Sequence, residues 1–147
     1  MTLTHSTDIR VRNSDSEANG QLKNTSSLLY LEEARANFFY NNGLTREKLS
    51  NKADFILSSI SCKFSSPAYT KQILNINTIV ADLQAKSFTL YQTITHHETD
   101  ALILEATAKF LYFNFQTQKL EIIPEMIRYN LEQYQPKGKT PNNLSLS

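Results

Sequence analysis

Apolar and polar positions change rhythm several times along this chain. Residues 7–13 alternate, with Ile9 and Val11 on one side, which predicts a short strand. Residues 14–24 are polar and turn-rich. From Thr25 to about Asn42, apolar side chains recur at 28, 31, 34 and 38, with the aliphatic stem of Arg35 in the same stripe. That is the i, i+3, i+7 spacing of a helix pressed into a core. Leu29, Tyr30, Phe39 and Tyr40 widen the stripe beyond half the surface, so the helix is expected to be buried on most sides. Gly43, after two asparagines, suits the left-handed conformation that stops a helix.

Beyond a polar linker the period shortens to two. Residues 53–64 read as a strand ended before Pro67. In 71–83, Leu74, Ile76, Thr78 and Val80 share one face; in 87–97, Phe88, Leu90, Gln92 and Ile94 do. Residues 101–115 form the longest run and are rich in the aromatics that strands favour. The connections between the last three are short enough for antiparallel hairpins. Pro124 opens a short closing helix. Residues 1–135 are read as one domain, and the polar tail 136–147 is expected to be disordered. The order of strand, long helix and four long antiparallel strands predicts an α+β domain with one sheet face around the helix. The other face and the edges of such a sheet call for covering, most simply by oligomerisation.

Composition narrows the function classes. The 147 residues are 40% apolar and carry a net charge of +1 without a dense basic block. Phosphate neutralisation needs clustered Lys and Arg, so nucleic acid is not an expected partner. No run approaches the ~20 apolar residues of a membrane span. The first ten residues lack an apolar leader segment, and Cys62 has no disulfide partner, so a cytoplasmic, reducing setting is expected. Three glycines leave no material for a glycine-rich phosphate cradle, and no serine-hydrolase elbow occurs. No cofactor or metal is implied.

The chemistry-bearing stretch is 10–35. Asp15 and Glu17, followed by Asn19 and Gly20, stand immediately before the helix. One reading is a polar turn: Ser14-x-x-Glu17 fits a capping box, Asp15 an Asx turn, and Asn24 a helix N-cap. The other is a carboxylate aimed at a ligand on the helix's amino end. Glu32 and Arg35 fit an exposed i, i+3 pair, or an arginine making a structural contact.

Arg12, Asp15, Ser16, Glu17, Gly20, Asn24, Glu32, Ala34 and Arg35 follow the pattern R-x-x-D-T-D-x-x-G-x-x-x-N/H…E-x-A-R. In this the chain resembles the hotdog fold and the 4-hydroxybenzoyl-CoA thioesterase family over residues 8–134. The resemblance implies an antiparallel sheet of about five strands wrapped around one central helix. It also implies hydrolysis of an acyl-CoA or acyl-carrier-protein thioester at a dimer-interface pocket, in a homodimer or homotetramer. Carried over residue by residue, the catalytic carboxylate is Glu17, where the family has Asp, and the carbonyl-polarising amide is the backbone N–H of Asn24. The family's His or Tyr at the helix start is replaced here by Asn24 and Ser27.

These residue types suit that reaction. Free amides at a helix start carry partial positive charge for a developing oxyanion, and a carboxylate just upstream can activate water or attack directly. Gly20 would shape the turn, while Ser27, Leu28, Tyr30 and Leu31 would contact substrate. A non-catalytic module binding an acyl thioester or a partner protein is the competing reading. A hydratase is disfavoured because no Asp/His pair lies in the helix region. His96-His97-Glu98 reads as a hairpin turn, since adjacent strand residues face opposite ways. Cys62 reads as a half-buried strand residue. Lys63, Lys71, Lys86 and Lys109 are candidate contacts for CoA phosphates, with none singled out.

Overall fold

The alternating runs pair into one antiparallel sheet. In the computed structural model, which describes residues 2–45 and 52–136, the strands are β1 (His5–Arg10), β2 (Ala53–Phe64), β3 (Ile73–Leu83), β4 (Ser87–His96), β5 (Leu102–Asn114) and β6 (Lys119–Leu120). The helices are α1 (Asn24–Asn41) and α2 (Glu125–Glu132). The sheet order is β1-β3-β4-β5-β2, with β6 added to the end of β5. This is the hotdog architecture: the sheet curls over α1. The two-residue β6 was too short to leave a periodic signal. The polar tail begins at the last described residue, Pro136, and residues 137–147 lie outside the description.

Register turns alternation into a buried face. Leu74, Ile76, Thr78 and Val80 of β3 sit opposite His96, Ile94, Gln92 and Leu90 of β4. Leu104, Ala106, Ala108, Phe110 and Tyr112 continue the same face on β5. Two apolar clusters fill the space beneath α1. One joins Tyr30, Leu31 and Ala34 to the β1, β3 and β5 side chains near the helix start. The other joins Phe38 to Phe88, Phe110, Tyr112, Ile127 and Leu131, so α2 closes the far end. A β-bulge between Leu57 and Ser59 keeps apolar residues of β2 on the inner face along its whole length.

The helix is covered on one side only. Ser27, Tyr30, Leu31, Ala34, Arg35 and Phe38 are buried, whereas Leu28, Leu29 and Tyr40 are exposed. The wide apolar stripe therefore corresponds to one core face and one open flank, not to burial on most sides. Arg35 is not an exposed pairing residue. Its Nη1 donates to Gln92 Oε1 at 3.2 Å, while Gln92 Nε2 donates to the Leu31 carbonyl at 3.3 Å and Thr78 Oγ1 at 3.1 Å. Burial pushes the Arg35 guanidinium below its ordinary value, with Glu32 opposing that shift.

Candidate active site

The turn ahead of α1 is built by backbone hydrogen bonds. Residues 13–15 make one 3₁₀ turn, and no side chain caps it, so the Ser14–Glu17 capping box does not form. Glu17 N–H donates to Gln21 O at 2.7 Å, Gly20 N–H to Glu17 O at 2.8 Å, and Asn19 Oδ1 accepts from Gln21 N–H at 3.0 Å. Gly20 has φ +88°, and a Cβ there would meet nothing closer than Thr70 Oγ1 at 3.8 Å. Conformation, not crowding, is what calls for glycine.

The two carboxylates of this turn have opposite surroundings. Asp15 is locked: Arg12 Nε lies 2.8 Å from its Oδ2, and the Tyr30 hydroxyl donates to the same oxygen at 2.6 Å. The Arg12 guanidinium also stands 5.1 Å from the Tyr30 ring centroid. Burial first, then the bond to Asp15, raises the Tyr30 hydroxyl above the ordinary tyrosine value and keeps it a donor. Glu17 is exposed, and among the described residues nothing pairs with its carboxylate.

Across from Glu17 lies an unfinished helix end. The N-cap is Lys23, not Asn24, and it offers no side-chain cap. The first helical bond runs from Ser27 N–H to Lys23 O at 3.0 Å. The N–H groups of Asn24, Thr25 and Ser26 precede it and have no helical acceptor. Asn24 and Thr25 border a cleft of about 250 Å³ lined also by Glu17, Gln21, Leu22 and Lys23. A second cleft of about 330 Å³ shares Gln21, Leu22 and Asn24 and continues past Ser27 to Phe64 and Ile103. Glu17 and Ser27 thus line two neighbouring clefts that meet at Gln21, Leu22 and Asn24.

The other expected contacts are distributed differently. Leu28 is 37% exposed on the open flank of α1. Tyr30 and Leu31 are 1% and 0% exposed and reach neither cleft, because helical phase turns them into the core. Tyr30 instead props the turn through Asp15, a role the spacing of fifteen residues concealed. Cys62 packs half-buried against the core, and burial pushes its thiol up, away from nucleophile character. Among the described residues no cluster of His, Cys, Asp and Glu is arranged to hold a metal, and no helix is long and apolar enough to cross a membrane.

Known proteins resemble this chain in sequence and in fold. The family model described as the thioesterase-like superfamily matches residues 7–131. The long-chain acyl-CoA thioesterase FadM of Escherichia coli is 27% identical over 86% of this chain and 96% of its own length. The acyl-CoA thioesterase YbgC of Helicobacter pylori is 26% identical over 81% and 93%. Among solved structures, a Staphylococcus aureus protein, SAV2348, in complex with CoA superposes with a TM-score of 0.89 at 16% identity, covering 100% of this chain and 95% of that one. The 1,4-dihydroxy-2-naphthoyl-CoA thioesterase Slr0204 of Synechocystis superposes at 0.80 with 18% identity, covering 88% and 96%. The structural likenesses speak for the fold.

Proposed function

Since the chain belongs to the thioesterase-like superfamily, we propose that it hydrolyses an acyl thioester, with Glu17 as the carboxylate and the backbone N–H of Asn24 at the oxyanion. The observation that carries this reading is the uncapped start of α1 facing an unpaired carboxylate across one cleft. The curated relatives named as acyl-CoA thioesterases support a CoA thioester as substrate. A carrier-protein thioester presents the same carbonyl.

Hydrolysis follows from this layout in two stages. Glu17 takes a proton from water, or attacks directly, as a new bond forms to the carbonyl carbon. Negative charge gathers on the carbonyl oxygen, where the free helix amides hold it. Collapse then breaks the carbon–sulfur bond: after attack by water the acid leaves and Glu17 returns its proton to the thiolate, whereas after direct attack the thiol leaves first and water hydrolyses the acyl–Glu17 anhydride to the acid. Gly20 sets the angle at which Glu17 meets α1, and Ser27 stands on the next turn of the same groove. Asp15 is excluded from the chemistry by its two partners.

The acyl group needs an apolar path, and a second copy of the chain supplies one. β2 is an edge strand, and its inner face shows Leu57, Ile60 and Phe64 at 47%, 41% and 44% exposure. A long apolar edge of that kind is unstable alone in water. Pairing across it would wall the groove at Phe64 and bury the open flank of α1. Sedimentation is expected to return a dimer or a higher multiple at micromolar concentration; monomer alone would remove the shared channel.

The catalytic test is a panel of acyl-CoA chain lengths with wild type and Glu17→Ala. The variant is expected to lose about 100-fold or more in kcat at an unchanged melting temperature, because Glu17 is exposed and unpaired. Tight acyl-CoA binding without turnover by wild type would instead favour the non-catalytic module. Equal rates in both proteins would remove Glu17 from the reaction.

A further inference from the structure

The Glu17 turn is joined to α1 by main chain and by side chain. Lys23 N–H donates to the Asp15 carbonyl at 3.0 Å, and the Tyr30 hydroxyl donates to Asp15 Oδ2 at 2.6 Å. The first link alone would leave the turn free to swing about the helix start. The second comes from a side chain rooted about two turns further along and leaning back toward the start, and it removes that freedom. The hydroxyl also accepts from Arg12 N–H at 3.3 Å, so it grips the residue that opens the 3₁₀ turn and the one that closes it. Tyr30 is 1% exposed, its ring is fixed in the core, and a hydroxyl buried with the ring needs a partner. Arg12 reaches the same Asp15 oxygen, but its side chain is 55% exposed and water screens the pair. Tyr30 is the firmer hold.

Glu17 has no such anchor of its own. Its carboxylate is unpaired among the described residues, and its main chain bonds to Gln21 and Gly20, inside the turn. Thr70 holds the turn as well, its N–H donating to Gly20 O at 2.8 Å and its hydroxyl to Ser16 Oγ at 2.9 Å. That contact ties the turn to the loop ahead of β3, not to α1. The place of Glu17 relative to the amides of Asn24 and Thr25 is therefore set through Asp15, its neighbour but one. Placement matters in such a pair, because ~1 Å of error can cost ~100-fold in rate.

We propose that Tyr30 is a positioning residue for the hydrolysis: acting through Asp15, its hydroxyl holds Glu17 at working distance from the open start of α1. This role rests on the hydrolase reading and adds to it a side chain that touches neither cleft. Tyr30→Phe removes the hydroxyl and keeps the ring in the core. With an acyl-CoA that wild type hydrolyses, kcat is expected to fall about tenfold while KM stays put, since carboxylate placement is lost and no substrate contact is. Asp15→Ala should cost a similar factor, and the double variant no more than either single one, as members of one link require. In the Glu17→Ala background, Tyr30→Phe should cost nothing further. A kcat equal to wild type in the folded variant, losses that multiply in the double variant, or a further loss without Glu17 overturns the assignment. Amide hydrogen exchange reads the tie without turnover. The Glu17 and Gly20 N–H groups should exchange about tenfold faster in Tyr30→Phe, while Leu44 N–H, beyond the far end of α1, keeps its wild-type rate. Unchanged exchange at Glu17 and Gly20 overturns the assignment whatever the activity. Faster exchange there, in a chain whose wild type hydrolyses no thioester, would remove the hydrolase reading and leave the tie between Tyr30 and the turn standing.

Discussion

The two ends of α1 are finished to different standards. At Asn41, Asn42 Nδ2 donates to Phe38 O at 2.8 Å, Leu44 N–H to Phe39 O at 2.9 Å, and Gly43 takes φ +76°. Aromatic rings seal that end, with Phe38 on Tyr134 at 4.8 Å and Phe39 on Phe110 at 5.0 Å between centroids. At Asn24 there is no cap, and the neighbouring carboxylate is unpaired. The two ends of one helix are therefore built differently: one is sealed by caps and rings, and the other leaves its amides open. The end that could be capped by one short polar side chain is left open, and it faces the groove.

The largest test of that difference is Phe38→Ala. Phe38 is fully buried, and its loss should destabilise the fold by about 3–5 kcal/mol in denaturant titrations. At temperatures where the variant remains folded, kcat should stay close to wild type; a large drop would show that the two ends are not independent. Next in size is Lys23→Asp, which supplies the missing N-cap. Chemical denaturation should show a gain of about 1 kcal/mol, while kcat falls because the new carboxylate occupies the amides and repels the oxyanion. A more stable variant with undiminished activity would mean that the open amides are not used.

The smallest effect concerns His5, which packs edge-on against Phe38 at 5.7 Å between centroids. Burial lowers its pKa below 6.5, and its buried Nδ1 has no hydrogen-bond partner. The unfolded chain therefore takes up this proton first as pH falls. Stability from this group is present above pH 6.5 and is lost as the pH drops through the folded value. Denaturant midpoints between pH 7.5 and 5.5 should fall for wild type and flatten in His5→Phe, with kcat at a fixed pH unaffected.

Much of this contrast was legible in the sequence, and the rest was hidden for identifiable reasons. Period-two runs placed Leu74, Ile76, Phe88 and Leu90 on the inner face, because one side of a pleated strand meets the core. The spacing of Glu17, Gly20 and the helix start marked the turn. Periodicity cannot say what covers an apolar surface, so the exposed Leu28, Leu29 and Tyr40 read as core. Nor does local spacing reveal contacts between distant segments. Tyr30 on Asp15, and Arg35 on Gln92, form only when register has brought the strands together.

The bond from Arg35 to Gln92, with Gln92 also tied to the Leu31 carbonyl and Thr78, acts as a key in a slot. Apolar packing alone would let a helix roll a few degrees or slide slightly, since such contacts are weakly directional. Directional bonds at one buried point set both its rotation and its axial position. A rigid helix carries that setting along its axis, and Asn24 lies about eleven residues away, or ~16 Å. The aim of the open amides is thus indexed from inside the sheet, out of reach of anything that binds in the groove.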